Sequence, residues 1–255
     1  MIVPPSCMIP AVRAVVTAAA TWTVLGGTSL ARAATDMERA LAAGDLPAAR
    51  AVLPSLAGRN PSGLEEPELA RATVESVAEN TADAAVAPLF WGTVAGIPGL
   101  LGYRAVNTLD AMVGHRSPRY ARFGWAAARL DDVANWLPAR LTAALTVVCA
   151  PLAGGSAAGA WRAWRRDGAA HPSPNAGRCE ASLAGALGLR LGGRNLYGSR
   201  VEDRPPLGDG RPPSAPDIRR AVRLSRAVGV AAAGRAVVGR VGGGKALARL
   251  VGDRR

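Results

Sequence analysis

Three runs without a charged residue divide this chain, and helical spacing of apolar and polar positions fills the stretches between them. The first, residues 14–31, lies between Arg13 and Arg32 and leads into the small-residue sequence ending at Ala33. It reads as an N-terminal apolar anchor over residues 1–34, in preference to a cleaved signal. The second, residues 84–103, is long enough to cross a bilayer, yet it holds Pro88, Pro98, Gly92, Gly96, Gly99 and Gly102. Each proline removes a backbone donor and each glycine weakens the helix, so a broken or re-entrant segment is expected rather than one straight span. The third, residues 141–161, is flanked by Arg140 and Arg162, with Trp136, Trp161 and Trp164 where an interfacial aromatic belt would sit. It is the strongest candidate for a full crossing.

Between these runs the pattern is helical. Residues 35–58 predict a helical hairpin whose first helix is capped by Thr35 or Asp36 and ended by Gly44; Asp45 and Pro47 start the second. Pro67 opens the next helix. After Trp161, the Gly- and Pro-rich segments HPSPNAG, GGRNLYG and PPLGDGRPP predict loops around the helix EASLAGALGLRL. Pro216 and Asp217 start a further helix over residues 216–228. The expected fold is all-α: a polytopic helical membrane protein with amphipathic and re-entrant segments and Gly/Pro-rich loops. A membrane domain over residues 35–230 follows the anchor, and residues 231–255 form a basic Gly-rich tail.

Charge sharpens the topology. The net charge is +12, from 31 basic and 19 acidic residues, and most of the basic ones lie after Trp161. The positive-inside rule then puts the segment after Arg162 in the cytoplasm. Alone, this balance suits nucleic acid, anionic lipid or phosphorylated substrates equally. Cys7, Cys149 and Cys179 form neither a disulfide framework nor a zinc site. No GxSxG, CxxC or HExxH occurs, so hydrolase and redox chemistries lack support. GRVGGGKA, residues 239–246, has phosphate-loop spacing up to Lys245, but Ala246 stands where a magnesium-holding hydroxyl belongs, and it is read as part of the tail.

Candidate chemistry is concentrated in residues 75–140. Glu75, Glu79 and Asp83 recur every four residues and so share a helix face. Like charges so spaced call for a cation: an arginine, a metal ion or a substrate amine. Asn107, Asp110 and His115 crowd one later segment; Arg129, Asp131, Asp132 and Asn135 crowd the next. His171, in AAHPSPNAG, reads as a general base, a phosphate contact or a polar loop residue. From the residues alone, a site and a solvated helix face remain alternatives.

The blocks ESVAENTADAAVAPLFWG, YRAVNTLDAMVGH, RYARFGWAAARLDDVANWLPARL, HPSPNAG, AGALGLRLGG and GDG occur in this order. They resemble the CbiB/CobD family of cobalamin biosynthesis, the adenosylcobinamide-phosphate synthases. The resemblance implies a multi-pass protein of the inner membrane with its active face in the cytoplasm. It also implies ATP- and magnesium-dependent amide formation between a propionate of adenosylcobyric acid and aminopropanol or its phosphate. Membrane lipid and other corrinoid-pathway enzymes are the further partners implied, and nucleic acid is not. That chemistry needs a cation site, a base and oxyanion donors. Glu75, Glu79, Asp83, Asp131 and Asp132 are the candidates for magnesium, and Asp110 or His115 for the base. Arg104, Asn107, Arg129, Asn135 and Asn175 are the candidates for phosphate, cofactor and oxyanion contacts. The LDxxxGDPxxxxHPV-like opening usual in the family is absent, and a Gly- and Arg-rich segment replaces its apolar final helix. A mis-assigned start or a truncated chain is the expectation. The alternative function is a non-catalytic component that docks partner enzymes. One further expectation concerns sidedness: a site built from Glu79 and Arg129 requires residues 84–103 to return to the side they left, because a full crossing would put roughly 30 Å of hydrocarbon between them.

Overall fold

A computed structural model describes residues 5–114, 120, 122–197 and 200–252. Its helices are α1 (Pro5–Val24), α2 (Gly27–Ala42), α3 (Leu46–Val52), α4 (Glu66–Thr81), α5 (Ala87–Leu109), α6 (Phe123–Ala134), α7 (Trp136–Cys149), α8 (Ala157–Asp167), α9 (Ala176–Leu187) and α10 (Ala215–Gly252). The strands β1 (Leu191–Tyr197) and β2 (Arg200–Leu207) pair antiparallel between α9 and α10. Three stretches are long and apolar enough to cross a membrane: Pro10–Ala42, Glu66–Gly114 and Trp136–Ala153. The chain is therefore a helical membrane protein, as the hydropathy pattern requires.

The main core draws on all three of these stretches and on the helices after them. Met37 and Leu41 of α2, Leu69, Val74 and Val77 of α4, Leu183 and Leu187 of α9, and Ile218 and Leu224 of α10 form it. Large exposed apolar side chains, among them Val12, Val15 and Trp22 of α1 and Val230, Val237 and Val238 of α10, lie outside it and suit a hydrocarbon surround.

Helix starts follow local chemistry. Asp45 accepts a hydrogen bond from the Ala48 N–H at 2.9 Å to open α3, with Pro47 in its first turn. Glu65 and Glu68 form a reciprocal capping box at α4, beside Pro67. At α2, however, neither Thr35 nor Asp36 is a cap. The helix begins at Gly27 and runs through both, and the Thr35 hydroxyl donates back to the Ala31 carbonyl. The first apolar run is consequently two helices, parted at Gly26, whose N–H donates to the Ala84 carbonyl at 2.9 Å.

Two other apolar runs also break. The expected crossing at residues 141–161 ends early: α7 passes into a 3₁₀ turn at Ala150–Ala153, and Gly154, at φ 66°, stops it. Ser156 then caps α8, which packs back on α7. The span is Trp136–Ala153.

Residues 84–103 fold as a re-entrant helical hairpin. A π turn at Ala82–Val86 joins α4 to α5, and α5 is interrupted at Gly96, whose φ of 68° and ψ of −150° belong to a region open only to glycine. The two halves meet closely. A side chain at Gly99 would strike the Trp91 carbonyl, and Leu100 lies over Gly92. The Tyr103 hydroxyl reaches Asp83 at 3.3 Å, twenty residues back along the chain, whereas a straight helix of that length would hold the ends about 30 Å apart.

Two segments differ from the loop and tail reading. Residues 191–197 and 200–207 form a β hairpin that pairs from Leu191↔Leu207 to Tyr197↔Arg200, with a register shift at Gly192–Gly193. Residues 231–252 continue α10, so residues 239–246 are helical rather than a phosphate-binding loop.

Candidate functional site

The carboxylate stripe on α4 serves two environments. Glu75 is buried and turned to arginines: it pairs with Arg59, lies 3.7 Å from Arg71, and accepts the Gly192 N–H at 2.7 Å. Arg71 in turn donates to the Gly192 and Arg194 carbonyls and to Asn195, so this acid ties α4 to the β hairpin. One turn on, Glu79 is exposed and has no hydrogen bond or ion pair among the described residues.

Glu79 and Asp83 open into a recess of about 30 Å³, which Asp131, Asn135, Ser173, Asn175 and Cys179 also line. Three pieces of chain build it: the end of α4 with its π turn, the α6–α7 junction, and the HPSPNAG loop entering α9. The re-entrant hairpin brings the first two together, since Tyr103, at its far end, donates to Asn135 at 2.9 Å as well as contacting Asp83. Trp91 adds an indole N–H bond to the Ala134 carbonyl at 3.0 Å.

Inside the recess the donors are already committed. Asn135 donates to one Asp131 oxygen at 3.1 Å and Asn107 to the other at 3.4 Å. Burial, reinforced by the nearby Asp110 and Asp132, raises the Asp131 carboxyl to about 6 despite those amides. Asn175 spends its amide N–H on the Asp132 carbonyl at 2.8 Å, which leaves its Oδ1 unpartnered in a residue only 7% exposed. Ser173 accepts the N–H groups of Asn175 and Ala176 and so caps α9.

Five of the twelve candidates thus converge: Glu79, Asp83, Asp131, Asn135 and Asn175. Asn107 supports them through Asp131. Asp110 sits in a π turn over Gly114, close enough to raise Asp131 and Asp132 electrostatically but outside the lining. Four do not join. Glu75 is taken up by arginines. Asp132 faces Arg129 at 3.7 Å on the wall of a neighbouring apolar groove with Trp91 and Trp136. Arg129 and Arg104 extend outward, because both lie on exposed helix faces. His115 lies outside the described residues.

Sequence reasoning missed Tyr103, Ser173 and Glu180. Tyr103 stands in the same quoted block as Asn107, and only the hairpin turns it toward Asp83. His171 is not a loop residue facing solvent but is buried. Its Nδ1 accepts the Ser173 N–H at 3.0 Å, and its Nε2 faces the wholly buried Glu180 at 3.7 Å. Burial, with Arg204 nearby, holds His171 down at about 4, and burial raises Glu180 well above the carboxylate range. A histidine so placed braces the loop rather than exchanging protons with substrate.

Among the described residues no three His, Cys, Asp or Glu side chains gather as a metal cage. Glu79, Asp83 and Asp131 offer the hard oxygens magnesium favours, but they do not converge closely enough to form a cage. The set does not fit a resident metal ion held by protein alone.

A sequence model of a family described as "CobD/Cbib protein" matches residues 1–225. A "Cobalamin biosynthesis protein CobD" of Mycobacterium tuberculosis (strain H37Rv) is 61% identical over 222 residues, 87% of this chain and 71% of that protein. The protein of the same name from Geobacter metallireducens is 50% identical over 216 residues, 84% of this chain and 68% of its own length. No solved structure matches.

Proposed function

The chain belongs to the CobD/Cbib family, and on that premise we propose that this protein of cobalamin biosynthesis is its amide-forming ligase, working at the cytoplasmic face of the inner membrane. It joins the amine of aminopropanol, or of its phosphate, to a propionate carboxylate of adenosylcobyric acid. One observation carries the reading: the re-entrant hairpin gathers Glu79, Asp83, Asp131, Asn135 and Asn175 into one polar recess inside an otherwise apolar helical assembly. Polar groups concentrated so near membrane-embedded helices are costly without a use.

In chemical balance, the propionate oxygen takes the terminal phosphoryl group of ATP, releasing ADP. The amine nitrogen then attacks the acyl carbon, phosphate leaves, and the ammonium proton passes to a base. ATP is a substrate here, and magnesium arrives with its phosphates rather than residing in the acids, in keeping with how that ion is bound at nucleotide sites. The chain's own residues orient the amine and accept its proton. Asp131, raised toward neutrality, is better matched to that exchange than an ordinary carboxylate, and Asp110 stands close by. Ser173 and the amides of Asn107 and Asn135 hold the surrounding geometry.

The test is turnover by the purified protein in detergent. Adenosylcobyric acid, ATP and aminopropanol phosphate should yield the corresponding amide, identified by mass, with ADP formed in equal amount. Unchanged corrinoid with full-length folded protein would refute the ligase reading.

A further inference from the structure

The recess has a one-sided chemistry. Glu79, Asp83 and Asp131 present carboxylates, and among the described residues no lysine, arginine or histidine lines it. The orientation of Asn175 is fixed by its neighbour: only an amide N–H can face the Asp132 carbonyl at 2.8 Å, so the oxygen must point the other way. That oxygen is unpartnered, in a side chain more than nine-tenths buried that lines the recess. A buried acceptor without a donor costs stability, and its natural complement is a ligand that brings N–H groups. A phosphate brings none and would meet three carboxylates. Magnesium demands a near-octahedral oxygen set, and among the described residues no three acidic side chains gather closely enough to begin one. The recess, about 30 Å³, has room for a small water-sized group such as an –NH3+ head.

We infer that the recess seats the primary ammonium of the amine substrate, with Asn175 Oδ1 and the carboxylates of Glu79, Asp83 and Asp131 as its acceptors. This rests on the ligase reading above and assigns one substrate to one subsite. ATP binds elsewhere, outside the acidic lining. The HPSPNAG loop is then the specificity element for a cationic nitrogen, and the Glu180–His171 pair beneath it keeps that loop in place.

The experiment uses the full-length protein in detergent. In steady-state kinetics, Asn175→Ala should raise KM for aminopropanol phosphate about tenfold or more, the scale of one lost charge-assisted hydrogen bond. KM for ATP and for the corrinoid should stay within about twofold of wild type on the same scale. Asp131→Asn, which nearly keeps the side chain's shape, should act in the same direction and guards against a folding artefact. Calorimetric binding of aminopropanol phosphate, and of propanediol phosphate which lacks the nitrogen, needs no turnover. Wild type should prefer the amine, and both variants should lose that preference. Binding with this pattern but no amide product would overturn the ligase reading and leave the subsite standing. Amide formation with amine affinity unchanged in both variants, or a rise confined to ATP or magnesium requirement, would overturn the subsite.

Discussion

Glu75 and Glu79 stand one turn apart on α4, and their surroundings give opposite expectations for the same conservative change. Glu75 is buried between Arg59 and Arg71 and holds the Gly192 N–H, so Glu75→Gln leaves two cations poorly answered in the interior. Removing one partner of a buried pair costs about 3–5 kcal/mol, which should appear as a much lower melting temperature or as loss of folded protein. Glu79 has no such partner and faces the recess. Glu79→Gln should melt like wild type, insert normally, and fail to restore growth of a cobalamin auxotroph; full complementation would make Glu79 a solvated surface acid. Asp131 adds a pH dependence. Its carboxyl is raised from 3.8 to about 6, with Asp110, Asp132, Glu79 and Asp83 as the acids facing it. The folded state therefore holds this proton more tightly than the unfolded one. Its contribution to stability is fullest below 3.8 and declines as pH rises through about 6. Function runs the other way, because an ammonium needs the ionised form. Amine KM should climb as pH falls below about 6, and Asp131→Asn should flatten that limb.

At the scale of elements, the hairpin over residues 84–103 decides whether there is a site. Gly96 takes a backbone conformation that side chains resist, and the two halves touch where Gly99 passes the Trp91 carbonyl. Gly99→Leu should pry them apart, separating Tyr103 from Asp83 and abolishing activity while the protein remains in the membrane. The sidedness test is direct. Single cysteines at Ser62 and Ala126, both exposed, in a chain without Cys7, Cys149 and Cys179, should react with an impermeant maleimide from the same side. Reaction from opposite sides would show a crossing. The sequence was informative here for a clear reason: prolines and glycines inside an apolar run are costly unless the run bends. It was uninformative about Glu75 and Glu79, since equal spacing on one helix does not reveal that Arg59 pairs with one while the other has no hydrogen bond or ion pair among the described residues. The β hairpin was illegible for a related reason. Glycine and proline signal a turn, but its pairing is secured by Glu75 and Arg71, more than a hundred residues earlier.

At the scale of the whole molecule, helices that supply the buried core also carry exposed apolar side chains, and that exterior predicts the protein's solvent. Val12, Trp22, Val230 and Val238 are exposed on α1 and α10, while Val228 and Ala232 of α10 are buried with Met37, Leu69, Leu183 and Leu224. Alkaline carbonate should leave the protein in the membrane pellet, and release into the supernatant would contradict the assignment. The basic residues after Trp161 were the sequence's best indication of orientation, whereas the places where runs stop, Gly26 and Gly154, depend on contacts and backbone angles that no hydropathy window contains.

α10 packs against α2, α4, α5 and α7, all of which precede it along the chain. Its 38 residues take roughly 2–8 s to synthesise at the usual 5–20 residues per second. During that interval the faces of α2, α4, α5 and α7 that it will cover stand open to whatever the membrane offers. Lipid is then a temporary tenant that the closing helix must evict. Assembly of this region is then a competition between α10 and the bilayer for the same surfaces.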